Sequence, residues 1–123
     1  MTMPSRVRTI YKICHAAAWR AAEHAGKFAG APVDRADGYI HFSAADQVEG
    51  TAAKHFAGQR ELVLVAVDAD ALGPALKCEP SRGGALFPHL NGTLPLNAVR
   101  WTKPLPLGPA GRHVFPALET EAR

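Results

Sequence analysis

Two short polar segments of this chain carry the side chains best suited to chemistry. The first, residues 37–43, reads Asp-Gly-Tyr-Ile-His-Phe-Ser and contains His41 and Ser43. The second, residues 79–92, adds a glutamate, an arginine, another histidine and a pair of adjacent glycines. Carboxylates and imidazoles transfer protons, and a guanidinium beside flexible glycines can hold an anion. We therefore interpret the two segments as the two walls of one polar cleft.

His41 and Glu79 are the candidate catalytic residues. Strand alternation places His41 on the opposite face from Ile40 and Phe42, and an imidazole can exchange a proton near neutral pH. Glu79 precedes Pro80, which favours an extended conformation, so its carboxylate can project into a cleft and act as a base or stabilise a developing cation. Structural roles stay open for both: a core histidine bonded to a backbone carbonyl, and a glutamate in a salt bridge.

Arg82 and His89 are the candidate ligand-binding residues of the second segment. Arg82 precedes Gly83 and Gly84, whose backbone N–H groups can approach a ligand while the guanidinium contacts a phosphate or carboxylate. His89 follows a proline in a segment that the sequence predicts to be a constrained turn. The same pattern also fits a flexible turn with a solvated arginine, because its spacing is less specific than that of a phosphate-binding loop.

Other chemistries are disfavoured by spacing. His41 and His89 could share a metal ion, but zinc ligands usually come in closely spaced pairs, so we predict no metal site. If Glu79 faces the cleft, its neighbour Cys78 faces the core and is an inert thiol. Ser43 is expected to cap the helix that follows it, which argues against a nucleophilic serine paired with His41.

Short strands and helices must hold these residues in place. Helices are expected early and strands late, an order that favours an α+β domain over a doubly wound parallel sheet. The Asn91-Gly92 pair predicts a tight turn between short extended pieces on either side. The predicted strands span 9–14, 38–42, 61–67, 75–79 and 98–102, the predicted helices span 15–25 and 45–56, and 27–37 is predicted to be a loop.

The composition fits one domain with a hydrophobic core. The 123 residues are 47% hydrophobic, which predicts a single domain over residues 1–103 and a Pro/Gly-rich C-terminal extension over 104–123. The net charge is +3, and the basic residues are scattered rather than gathered into a stripe with aromatics. This pattern argues against a nucleic-acid partner and is compatible with a small anionic ligand.

The expected location is the cytoplasm, with no membrane partner. Two cysteines are too few for a disulfide framework, and both are expected to be buried thiols. Residues 1–9 lack the apolar stretch of a signal peptide, and no apolar run approaches the ~18 residues of a membrane span. The sequence does not predict an oligomeric state.

Five motifs occur together within residues 9–101. Their joint presence resembles the bacterial family catalogued as domain of unknown function 952. The motifs are Ile10-Tyr11-Lys12-Ile13, Trp19, Asp37-Gly38-Tyr39-Ile40-His41-Phe42-Ser43, Glu79-Pro80-Ser81-Arg82-Gly83-Gly84 and Phe87-Pro88-His89-Leu90.

That family is remotely similar to the ADP-ribosyltransferase superfamily. Its folds place three short motifs on neighbouring strands of a split sheet around NAD. The resemblance implies a split, mostly antiparallel sheet with two N-terminal helices, and NAD as the candidate cofactor. It implies that Lys12, which stands where the superfamily has His or Arg, joins the ligand-binding set with Ser43. It also implies that Glu79 occupies the glutamate position of the third motif.

These residues fit more than one function. The leading hypothesis is a small enzyme that transfers an ADP-ribosyl or phosphoryl group on a nucleotide-type ligand, with His41 orienting the ligand and Glu79 stabilising the reacting centre. The alternative is a non-catalytic module that binds a small phosphorylated ligand. In a third interpretation, Glu79, Arg82 and His89 only hold their loop in place.

Overall fold

Two apolar strands, β1 (Thr9–His15) and β4 (Leu62–Asp68), pair along their whole lengths at the centre of the fold. The computed structural model describes residues 9–81 and 84–118. Both strands are rich in β-branched and other apolar residues, which suit a pleated, buried surface. The remaining elements are α1 (Ala16–Ala25), β2 (Lys27–Phe28), α2 (Pro32–Asp37), β3 (Ile40–His41), α3 (Val48–His55), β5 (Leu76–Pro80), β6 (Leu86–Leu90), β7 (Leu94–Pro95) and β8 (Val99–Pro104).

The strands of the described residues form three antiparallel sheets. One has the order β1-β4-β8, a second has the order β3-β6-β5, and β2 pairs with β7. An isolated bridge between Tyr11 and Ser43 joins the first two sheets, with backbone N···O distances of 2.8 and 2.9 Å. The prediction of an α+β domain with antiparallel strands is confirmed.

Two hydrophobic clusters cover the two faces of the β1–β4 pair. One cluster includes Ile10 and Cys14, and the other includes Tyr11 and Ile13. Side chains of a strand point alternately to its two faces, so Lys12 shares the face of Ile10 and Cys14 and is buried there. Because a buried ammonium group is costly without a partner, a counter-charge must lie on the same face.

Helix α1 confirms the helix expected after β1. Trp19 and Ala22 are buried, and the Trp19 ring packs against Phe28 with centroids 5.6 Å apart. Gly26 ends the helix at φ 84°, and its N–H donates to the Ala22 carbonyl. No helix in the described part of the chain has the length and apolar content needed to cross a membrane.

Helix α2 lies within the segment for which the sequence predicts a loop, so that prediction is wrong. Pro32 occupies the first helical turn, where its missing N–H costs nothing. Gly38 ends the helix at φ 89°, and its N–H donates to the Asp34 carbonyl at 2.8 Å. The proline and glycine therefore mark the two ends of a short helix rather than the absence of one.

Helix α3 begins at Val48, so the prediction that Ser43 caps it is wrong. Ser43 is occupied by the bridge to Tyr11, and its hydroxyl lies 2.9 Å from Thr51 Oγ1. Gln47 takes the position before the helix, and its side-chain oxygen accepts a hydrogen bond from the Ala44 N–H at 2.9 Å. A turn thus intervenes between the polar segment and the helix.

The Asn91-Gly92 turn joins two extended pieces, as predicted, but these two strands do not pair with each other. Strand β6 pairs with β3 and β5, whereas β7 pairs with β2. The Asn91 N–H donates to the Ala75 carbonyl at 2.9 Å, which holds the turn against the start of β5. This turn therefore carries the chain from one sheet to another.

The two cysteines differ in exposure. Cys14 is buried, as predicted, and burial raises the pKa of its thiol to about 11. Cys78 is exposed, so the prediction of two buried thiols is wrong. Strand β5, at the edge of its sheet, has no buried side chain along its length.

We expect a thiol reagent to modify one of the two cysteines in the native protein. Disulfide reagents react with the thiolate, so Cys78 should react rapidly and Cys14 only after unfolding. Thiol titration with and without urea measures this, and the Cys78→Ser variant is the control, with no rapid reaction expected. Rapid release of two thiol equivalents from the folded wild type would contradict the burial of Cys14.

The segment after β8 packs against the domain as far as it is described. Leu105 is buried in the cluster that contains Tyr11, and its N–H donates to the Leu62 carbonyl at 3.0 Å. Phe115 and Leu118 pack against the same cluster. The predicted boundary near residue 103 stays a prediction, and residues 119–123 lie outside the described ones.

Candidate functional site

The carboxylate of Asp34 is the centre of a buried hydrogen-bond network. It lies in the first turn of α2, and its side chain is 1% exposed. Oδ2 accepts from the Ala31 N–H at 2.7 Å, and Oδ1 accepts from the His41 backbone N–H at 3.1 Å. Lys12 Nζ lies 3.0 Å from each carboxylate oxygen. Asp34 therefore ties β1, α2 and β3 together.

The Lys12–Asp34 ion pair is shielded from water. Burial alone would raise the pKa of the Asp34 carboxyl, but the Lys12 charge and the hydrogen bonds from His41 and Ala31 hold that pKa below its ordinary value. Asp34 is therefore ionised at neutral pH. Lys12, with a side chain 7% exposed, uses its ammonium group on this carboxylate.

His41 is held between two carboxylates. Its Nδ1 lies 2.7 Å from Asp34 Oδ1, and its Nε2 lies 3.0 Å from Asp37 Oδ2. A carboxylate only accepts hydrogen bonds, so both contacts are satisfied together when both ring nitrogens carry a proton. Asp37 has a side chain 46% exposed, so this second contact lies at the solvent-accessible side of His41.

His89 and Glu79 form a second imidazole–carboxylate pair. His89 is the Cα partner of His41 in the β3–β6 ladder, and Glu79 lies on the neighbouring β5, so the three side chains share one sheet face. His89 Nδ1 lies 2.9 Å from Glu79 Oε1. His89 is 2% exposed, and its Nε2 is buried with no hydrogen-bond partner among residues 9–81 and 84–118. Since buried polar atoms normally have partners, this nitrogen is a candidate ligand contact.

Tyr39 lies against both imidazole rings. Its ring centroid is 4.2 Å from that of His89, with the planes 26° apart, and 4.8 Å from that of His41. The two imidazole centroids are 5.4 Å apart. Tyr39 follows Gly38, whose left-handed conformation turns the chain from α2 into β3. The phenol ring thus packs on both members of the histidine pair.

Four of the six predicted site residues lie in one connected group. We call the group the histidine cluster: Lys12, Asp34, Asp37, Tyr39, His41, Glu79 and His89. Ser43 lies apart, because its hydroxyl contacts Thr51 of α3, which carries none of these side chains. Arg82 lies outside the described residues. In the part of the chain that is described, no three His, Cys, Asp or Glu side chains are placed to hold a metal ion.

A cleft of about 710 Å³ lies on the other face of the β5–β6 pair. Cys78 and Pro88 line it, and along their strands they alternate with Glu79 and His89. The two polar segments thus meet as neighbouring strands of one sheet, which corrects the prediction that they face each other as two walls.

Gly30 makes room for Asp34. Its φ is +109°, in the region that disfavours side chains, and an added Cβ would lie 2.9 Å from Asp34 Cβ. The same Cβ would lie 3.6 Å from Ile40 Cγ1. Both the backbone conformation and the close approach therefore require glycine at this position.

Gly30→Ala is expected to lower the free energy of unfolding by about 2–4 kcal/mol, because left-handed strain adds to a steric clash. Urea denaturation measures the loss. Gly26→Ala is the matched control, since Gly26 has φ +84° and open space around it, so only the strain of about 1–2 kcal/mol applies. Equal losses in the two variants would contradict the close approach to Asp34.

Asp34 is the site residue that the sequence analysis missed. Its local signal is Pro32 before it and Gly38 after it, which delimit a short helix with an acid in the first turn. Its pairing with Lys12 spans 22 positions and depends on tertiary structure. Asp37 and Tyr39 belong to the polar segment that the sequence singles out, although neither is selected there.

Known proteins resemble this chain over most of its length. The family model described as a protein of unknown function, DUF952, matches residues 13–102. The crystal structure of protein CC0527 from Caulobacter crescentus is 50% identical, has a TM-score of 0.83, and the match covers 86% of this chain and 93% of that chain. The solution NMR structure of CC0527 is 51% identical with a TM-score of 0.77, over 85% and 90% of the two chains. No curated protein matches.

The family match begins at Ile13, directly after Lys12, and ends directly after Trp101. It includes both polar segments. It therefore spans the sheets that carry His41, Glu79 and His89. The chain belongs to the DUF952 family.

Proposed function

We propose that this protein is a group-transfer enzyme acting on a small nucleotide-type ligand, with His41 and His89 as its proton-transfer pair. The main support is the pair of cross-strand imidazoles, each with Nδ1 on a carboxylate and with centroids 5.4 Å apart. A carboxylate at Nδ1 fixes the ring orientation and stabilises the imidazolium. Two such rings on one face suit removal of a proton from one ligand group and supply of a proton to another.

The anionic part of the ligand would bind at His41. The Asp37 carboxylate oxygen lies 3.0 Å from His41 Nε2 as an ion-pair contact, and a phosphate oxygen in its place would make a charge-assisted hydrogen bond to this nitrogen. Because Asp37 is half exposed, replacing it requires no rearrangement of the core. Arg82, which follows β5 in the sequence, is the proposed second contact to the anion.

The proposal includes ADP-ribosyl and phosphoryl transfer, which share a ligand with a ribose and phosphates. The first would make this an ADP-ribosyltransferase-like domain that takes NAD. It is supported by the placement of the three motifs on β1, β3 and β5 of two linked antiparallel sheets. In either reaction Glu79 would act through His89, to which it is hydrogen bonded.

Lys12 and Ser43 contribute differently in this scheme. Lys12 acts through Asp34, since its ammonium group holds the carboxylate that orients His41. We leave Ser43 out of the proposed ligand contacts because its hydroxyl is engaged with Thr51.

A thermal-shift titration with NAD, ADP-ribose and a panel of phosphorylated metabolites tests the proposal. A ligand at 100 times its dissociation constant stabilises the folded state by about 2.7 kcal/mol, a shift of several degrees for a domain of this size. His41→Gln should abolish the shift, whereas the control His24→Gln, at an exposed position of α1, should keep it. Absence of any shift across the panel in the wild type would overturn the nucleotide-type ligand.

A second candidate is a non-catalytic module that binds a small phosphorylated ligand. It is favoured by the occupation of both His41 nitrogens, which leaves that ring without a free proton acceptor. A module would show the same saturable thermal shift without any conversion of the ligand. Turnover therefore separates the two candidates.

A further inference from the structure

We infer that the buried Nε2 of His89 is a hydrogen-bond acceptor reserved for a hydroxyl or N–H group of the ligand, and that Tyr39 covers it until the ligand enters. This inference rests on the proposed function and adds two things to it. It assigns the base to His89 rather than His41, and it states the chemistry of the ligand group that the base meets.

The acceptor character of Nε2 follows from the partner of the other ring nitrogen. His89 Nδ1 lies 2.9 Å from a Glu79 carboxylate oxygen, which only accepts, so Nδ1 carries the proton. In the neutral ring, Nε2 is then a bare acceptor. A second proton there would create a buried, unpartnered N–H on a cation, which costs more than a buried lone pair. His41 differs in having a carboxylate oxygen beside each of its ring nitrogens.

The covering role of Tyr39 is inferred from its stacking on one face of the buried His89 ring. Its ring stacks on His89, which is 2% exposed, while Tyr39 itself is partly exposed. Gly38 precedes it at φ 89° with nothing within 4 Å of an added Cβ, so the backbone at this turn has open space around it. We expect displacement of the phenol ring to open the buried His89 ring to a ligand, and a flat ring of the ligand can take over the stacking contact.

The proton step needs only the ligand hydroxyl and the His89–Glu79 pair. The O–H bond of the ligand hydroxyl breaks, its proton forms an N–H bond at His89 Nε2, and the electron pair stays on the ligand oxygen. The resulting imidazolium keeps its Nδ1 hydrogen bond to Glu79, whose charge stabilises it. A ribose hydroxyl beside a nucleobase has both features, a donor and a flat ring.

Nitrogen NMR of the histidine rings tests the acceptor directly and needs no ligand. The expected result at neutral pH is that His89 has a protonated Nδ1 and a bare Nε2. A protonated Nε2 on His89 would overturn the inference, whatever the protein is later found to bind.

Acylation by diethyl pyrocarbonate, which attacks bare imidazole nitrogens, tests whether Tyr39 covers His89. Peptide mass spectrometry separates His89 from the other histidines. Tyr39→Ala should speed modification of His89 by at least about tenfold, whereas Tyr39→Phe, which keeps the ring, should react like the wild type. Tyr39→Leu is the second variant if the alanine variant does not fold. Equal rates of His89 acylation in the wild type and in a folded Tyr39→Ala or Tyr39→Leu variant would show that Tyr39 does not cover His89.

A pair of nucleotide probes separates this inference from the proposed function. AMP should protect His89 of the Tyr39→Ala variant from acylation, and its dideoxy analogue, which lacks both ribose hydroxyls, should protect at least about tenfold less well. Equal protection by the two probes would overturn the hydroxyl donor. Protection by neither would overturn the nucleotide-type ligand. The NMR and acylation results would still decide whether His89 Nε2 is an acceptor and whether Tyr39 covers it.

Discussion

Replacing Asp34 with asparagine is expected to lower the free energy of unfolding by about 3–5 kcal/mol. The side chain changes little in shape, but the buried Lys12 ammonium would lose its counter-charge and keep only a neutral contact. An uncompensated buried charge is among the few causes of so large a loss. Urea denaturation at neutral pH measures it.

Two variants show whether the charge is the cause. Asp37→Asn changes a half-exposed carboxylate on the same histidine and should cost less than about 1 kcal/mol. Lys12→Met combined with Asp34→Asn should be more stable than the sum of the single losses predicts, because no buried charge is left alone. Additive losses in this cycle would contradict the ion pair as the source of the effect.

Acid should remove the stabilisation that the ionised Asp34 carboxylate provides. The folded-state pKa of Asp34 lies below its unfolded value, so the stabilisation is complete above the unfolded pKa and is lost as pH falls through the folded pKa. The stability difference between wild type and Asp34→Asn should therefore shrink below about pH 4. A constant difference down to strongly acidic pH would contradict the lowered pKa.

Replacing Glu79 with glutamine is expected to retain ligand binding and to reduce turnover by about 10²–10⁴-fold. Glutamine keeps a hydrogen-bonding group beside His89 Nδ1 but removes the charge that stabilises the imidazolium. The ligand contacts proposed at His41 are untouched. The thermal shift should therefore survive while conversion of the ligand is lost.

The control for this variant is Glu23→Gln, which removes one exposed carboxylate from α1 and should leave both readouts unchanged. Turnover by Glu79→Gln at the rate of the wild type would remove Glu79 from the mechanism. Loss of the thermal shift in Glu79→Gln would instead make the residue part of ligand binding.

The central strands of the fold could be predicted because their signal is local. The apolar runs that form β1 and β4 are buried on both faces, and such runs can be recognised as strands without knowledge of the partner strand. Helix α2 could not be predicted in this way. It has six residues, and the proline at its start and the glycine after its end are also typical of a loop.

The sequence predicts part of the candidate site's residues and none of its contacts. His41 stands out as a polar side chain within an apolar strand. His89, for which the sequence predicts a turn, lies instead on β6 and pairs with His41 across β3. Asp34 sits in the missed helix, and its partners Lys12 and His41 come from two other elements. The exposure of Cys78 depends on how little packs over β5, none of whose side chains is buried, and this is a property of the tertiary structure rather than of the residue.

The measurement that tests the central claim most directly is a phosphorus NMR time course of the wild type and His41→Gln with NAD and the panel of phosphorylated metabolites. The proposed enzyme should convert at least one of them at a rate proportional to protein concentration, and His41→Gln should not. A ligand that shifts the melting temperature but is never converted by any concentration of wild-type protein would contradict the enzyme and leave the binding module.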